Sequence, residues 1–147
     1  MATDEKVSFS AEERAAMKEY AAELKAEKKR KGTADKAAQD EADLVAKIAE
    51  LTGDDRVLAE KVHALVREHA PELAPKTWYG MPAYNRDGRA IVFFQPASKF
   101  KARYSTLGFN DGAQLDDGAM WPTSYALTTI GPAEERKLIE LIRRAAG

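Results

Sequence analysis

The stretch KTWYGMPAYNRDGRAIVFFQ (Lys76–Gln95) decides how this chain folds. Two signals compete in it. The aromatic and β-branched residues favour a sheet, whereas Gly80 and Pro82 each weaken a strand, glycine by its backbone entropy and proline by its missing donor. Read as one hairpin strand, Lys76–Tyr84 is bent at Gly80 and Pro82, and Pro82 belongs at a bend or an edge. Asp87-Gly88 is a strong two-residue hairpin signal. It places Arg86 opposite Arg89, Tyr84 opposite Ile91 and Pro82 opposite Phe93. Arg89–Gln95 is apolar on both alternating sets, as expected of a strand covered on two faces.

Downstream, KFKARYST alternates, with Phe100, Ala102 and Tyr104 on one side and Lys99, Lys101 and Arg103 on the other. This predicts a third strand with a basic face and a buried aromatic face. TSYALTT (Thr123–Thr129) predicts a fourth. Ten of the twelve aromatic residues fall between Trp78 and Tyr125, which confines the sheet to the second half of the chain.

The flanks read as helices. Ser10 and Glu13 form a capping-box pair at the start of an Ala/Glu/Lys-rich helix whose apolar stripe is only Met17, Tyr20 and Leu24, with Gly32 as its stop. A second helix carries Leu44, Val45, Ile48 and Leu51. A third is capped by Asp54 or Asp55, buries Leu58, Val62, Leu65, Val66 and His69, and stops at Pro71. The last starts at Gly131-Pro132 and buries Leu138, Leu141, Ile142 and Ala145. Helices at both ends of hairpin-linked strands predict an α+β fold with a mainly antiparallel sheet of about four strands. Residues 1–53 form an N-terminal helical segment, with its first forty residues packed loosely or against a partner, and residues 54–147 form the α+β domain.

The chain has 147 residues, 24 of them acidic and 23 basic, and no cysteine. Balanced charge argues against a strongly basic nucleic-acid binder, and the missing cysteine excludes disulfides, thiolate metal sites and cysteine nucleophiles. The N-terminus carries charge where a secretory leader needs an apolar run, and no stretch is long and apolar enough to span a bilayer. The expectation is a soluble cytoplasmic protein; its oligomeric state is left open by the sequence.

PELAPKTWYGMPAYNRDGRAIVFF, SKFKARYSTLGFND and LDDGAMWPTSYAL, followed by the terminal helix, resemble the YdhG-like domain family. The resemblance covers Glu72–Ile130 most closely and carries the α+β fold with it. Through the family's association with frataxin-like iron chaperones it implies iron as a cofactor or cargo and an iron-acceptor protein as partner, without assigning ligand positions.

Three sites follow from the residues. Asp111, Asp116 and Asp117 lie among glycines in one loop, where carboxylates can gather around a metal without thiolates. Trp78, Tyr79, Met81, Pro82, Tyr84 and Trp121 form a candidate ligand pocket. Lys99, Lys101 and Arg103 would hold a small anion from the basic strand face. His63 and His69 are six residues apart on one helix and cannot chelate together. Elbow, phosphate-loop and dinucleotide motifs are all missing, which favours binding over catalysis. A further alternative is protein interaction through the N-terminal helices.

Overall fold

The computed structural model describes residues 8–29 and 33–147. In chain order it contains α1 (Ala11–Lys29), α2 (Thr33–Glu50), α3 (Gly53–His69), β1 (Ala74–Trp78), β2 (Met81–Arg86), β3 (Arg89–Gln95), β4 (Ser105–Phe109), β5 (Ser124–Leu127) and α4 (Pro132–Ala146). The five strands form one antiparallel meander in the order β1-β2-β3-β4-β5. The fold is therefore α+β, with one strand more than expected.

The extra strand arises at Tyr79-Gly80, which divides the expected first strand into β1 and β2. It is not a bend within a strand but a two-residue turn between β1 and β2, with Trp78 paired to Met81. Both turn residues have positive φ, 53° and 76°, which matches the right-handed twist of the flanking strands. Asp87-Gly88 repeats the same geometry between β2 and β3, at 50° and 77°. Pro82 lies on neither edge of the sheet. Its missing donor is tolerated because the β2–β3 ladder begins only at Ala83, paired with Phe93.

That pairing also corrects the expected register. Arg86 does face Arg89, but Tyr84 faces Val92 rather than Ile91, because a bulge leaves Ile91 unpaired. The bulge explains the continuous apolar run: Ile91 and Val92 are consecutive and both buried.

One sheet face carries Tyr84, Val92, Phe94, Leu107 and Leu127 into a core closed by Leu44 and Ile48 of α2, Val62 and Val66 of α3, and Leu141 and Ile142 of α4. Val45 of α2, expected inside, is exposed. The core buries the predicted stripe of α4 and that of α3 except His69, which is only half-buried. Glu134 accepts a hydrogen bond from the Gly131 amide at the start of α4, and Ser10 and Glu13 make the expected reciprocal cap on α1. On α3 neither Asp54 nor Asp55 caps the helix; the N-cap is Thr52, without a side-chain bond. Gly32, the expected stop of α1, lies outside the described residues.

Asp55 is used elsewhere, and this breaks the strand expected at Lys99–Thr106. It accepts hydrogen bonds from the Ser98 amide (3.2 Å) and the Ser105 hydroxyl (3.3 Å), and Ser105 Oγ in turn accepts from the Ala97 amide. Ala97–Phe100 is consequently a 3-10 turn closed by Lys101 in the left-handed region (φ 53°). Phe100 and Tyr104 do not share a buried strand face, and Tyr104 is exposed. Among the described residues no helix is long and apolar enough to cross a membrane.

Candidate functional site

α1 crosses the end of the sheet where the β1–β2 turn lies, and it is fastened there mainly by carboxylates. Glu23 accepts hydrogen bonds from the backbone amides of Tyr79 and Gly80, both at 2.9 Å. Two consecutive residues of positive φ point their N–H groups the same way, and the carboxylate fits that concavity. Tyr20 stacks on Tyr79 with ring centres 4.2 Å apart. Glu19 is paired with Lys99 and Lys47, each at 3.0 Å, and Glu12 with Lys101 at 2.9 Å. α1 is thus docked on the domain mainly through polar contacts, not carried as a loose arm.

Between α1–α2 and strand β1 runs an open groove of about 740 Å³, which continues past β1 to the β2–β3 turn and the chain after β4. Its helical wall is formed by Glu23, Leu24 and Glu27 of α1 and Asp40 of α2. Its sheet wall includes Lys76 and Trp78 of β1, with Asn85 and Asp111 farther along. Glu27 holds Lys36 at 3.1 Å and Lys76 at 3.7 Å. The hydrogen bond from Lys36, with the Lys76 charge beside it, keeps the Glu27 carboxyl below its usual range. The buried Asp40 lies 3.9 Å from the same Lys76 ammonium.

Asn85 is the least satisfied polar residue in this wall. It is 8% exposed, and its Oδ1 has no hydrogen-bond partner among the described residues. It stands on β2 between Ala74 and Ala90, its partners on the neighbouring strands. These two small side chains leave it uncrowded. Asn110 donates from Nδ2 to the Ala90 carbonyl at 3.1 Å and so brings the Asn110–Gly112 segment to the same end of the groove. Burying an amide oxygen without a donor costs on the order of 1–3 kcal/mol. Asn85 escaped the sequence reading; the one available signal was an asparagine inside a strand, where that residue is depleted.

The six expected pocket residues do not frame one site. Trp78 lies on the groove, half-buried, with its ring against Tyr79 and Phe93. Tyr79 is in the turn. Met81 and Pro82 are buried in β2. Tyr84 is inside the core, 2.9 Å from His63 Nδ1, and Trp121 is half-buried against that core. Burial pushes the His63 pKa down and the Tyr84 pKa up, so the pair is neutral near pH 7. Nε2 faces Glu41 at 3.8 Å, and in the tautomer that carries its proton there Nδ1 accepts from the tyrosine hydroxyl. His69 accepts from Arg143 at 2.9 Å, away from His63. Both rings are thus engaged by neighbouring side chains of the fold.

Lys99, Lys101 and Arg103 do not form one basic face, since the strand that would align them is absent; the first two pair with carboxylates of α1. Asp111, Asp116 and Asp117 are exposed. Among the described residues, no three His, Asp or Glu side chains come together as a metal-binding group. Comparison with protein-family models, curated proteins and solved structures gives no match.

Proposed function

We propose that the protein is a non-catalytic binder of a small organic ligand, held in the groove between α1–α2 and the β1–β3 end of the sheet. The observation that carries this reading is Asn85: a buried amide oxygen with no partner, in the wall of a groove of ligand size. A residue kept for binding leaves such an acceptor unpaired at a cost to stability, whereas a residue kept for the fold does not. Asn85→Leu separates the two. It is expected to keep the fold and raise stability by about 1–2 kcal/mol in chemical denaturation, because an unpaired buried acceptor is replaced by an apolar group of similar size. A loss of stability would mean that Asn85 serves the sheet, and the reading would fall.

The YdhG-like resemblance, and with it a cytoplasmic iron-chaperone role at Asp111, Asp116 and Asp117, is a separate proposal carried by the sequence alone. A small anion at Lys99 and Lys101 is less favoured than the groove, because both ammonium groups already face carboxylates.

A further inference from the structure

We propose that the ligand of this groove is a linear organic cation carrying two or more ammonium groups; the inference rests on the groove being the binding site. The charges that face it are unequal. Seven lining residues are acidic and four are basic. Three of the four basic groups are matched within the protein: Lys36 and Lys76 by Glu27, and Arg67 by Glu41 at 3.0 Å. Glu23 spends both oxygens on the turn amides. At the other end Glu72, Asp87 and Asp111 are exposed and make no ion pair among the described residues, and Arg89 alone opposes them. That end of the groove is therefore net negative.

The same end holds Asn85. Asp87 follows it by two residues in the β2–β3 turn, and Asp111 follows Asn110, which is bonded to Ala90, the β3 partner of Asn85. Surplus carboxylates and the half-buried Trp78 ring share one chemical preference, for N–H donors on a positive charge, and the Asn85 amide, whose buried oxygen lacks a partner, meets it by turning that oxygen toward the groove. The carboxylates do not converge as the coordination of a hard metal ion demands. A chain of ammonium groups separated by methylenes needs no convergence. It can satisfy separated acceptors in turn and lay its apolar links along Trp78 and Leu24.

Titration of the full chain with spermidine, followed by backbone amide chemical shifts, tests this. Glutarate serves as the anionic control. Saturable shifts at Asn85, Ala90 and Gly112 are expected with spermidine and none with glutarate. Affinity should fall by about fivefold in Asp87→Asn/Asp111→Asn, since exposed ion pairs are individually weak. It should fall further in Asn85→Leu. If glutarate moves these amides and spermidine does not, the cation inference is overturned while the groove stands. If neither moves them, the cation inference also fails, and the stability of Asn85→Leu judges the groove independently. Shifts spread over other acidic surface and unchanged in the double variant would be general charge attraction, which equally overturns it.

Discussion

α1 and α4 are both attached to the same sheet domain, yet by different physics. α4 buries Leu138, Leu141, Ile142, Ala145 and Ala146. α1 buries only Ala16, and its Met17 and Leu24 stay exposed. In place of an apolar stripe α1 has Glu12, Glu19, Glu23 and Glu27, each facing an ammonium group or a pair of backbone amides. Apolar burial is non-directional and indifferent to charge state, so α4 is fixed under most conditions. Carboxylate contacts depend on geometry, salt and pH, and exposed ones are individually worth less than about 1 kcal/mol. Because α1 supplies one wall of the groove, the weaker attachment lies beside the proposed ligand site.

The comparison breaks most visibly in the core. Ile142→Ala should cost about 2–5 kcal/mol in chemical denaturation, because it leaves a cavity under the sheet at a fully buried position. Amide exchange should accelerate throughout, in α3 and the strands as well as α4. Glu23→Ala is expected to cost about 1 kcal/mol, since water replaces the two charge-assisted bonds at the half-buried turn. Its signature is local: faster exchange in α1 and at Tyr79 and Gly80, with α3 unchanged. Equal acceleration in α3 would show that α1 belongs to the same cooperative unit, and the distinction between the two helices would disappear.

This difference also accounts for what the sequence made legible. Apolar periodicity located α3, α4 and the core because burial leaves a repeating mark along the chain. Asp87-Gly88 was readable because an Asp-Gly pair between strand-like runs is a familiar turn. Tyr79-Gly80 has the same geometry but was masked: tyrosine is a strand former, and Pro82 drew the expected bend toward itself. The strand at Lys99–Thr106 failed for a tertiary reason, since its alternation was overridden by Asp55, some fifty residues away, bonding Ser98 and Ser105. For the site, Trp78 was named and Asn85 was not. A single unpaired oxygen leaves no period, and the groove exists only once α1 has docked.

Acid should separate the two attachments with the smallest effect. Burial raises the Glu19 pKa, but hydrogen bonds from Lys99 and Lys47 outweigh it and hold the carboxyl below its ordinary 4.5. Glu27 is lowered by Lys36 and then Lys76. A carboxyl with a depressed folded pKa contributes stability that is complete above the unfolded value and lost as pH falls through the folded one. The α1 contacts therefore hold above about pH 4.5 and weaken below it, by a few tenths to about 1 kcal/mol per pair after solvent screening. His63 on α3 obeys the same sign at higher pH. Its pKa is pushed below 6.5 by burial, so its contribution fades as pH falls below that value. The ring resonances of Tyr20, shifted by its stack on Tyr79, report α1 alone. They should hold steady from pH 7 to about 5 while overall stability begins to decline, then move toward unstacked values below about 4.5. Tyr20 shifts that follow the His63 range instead would mean that α1 is released with the core, not from it.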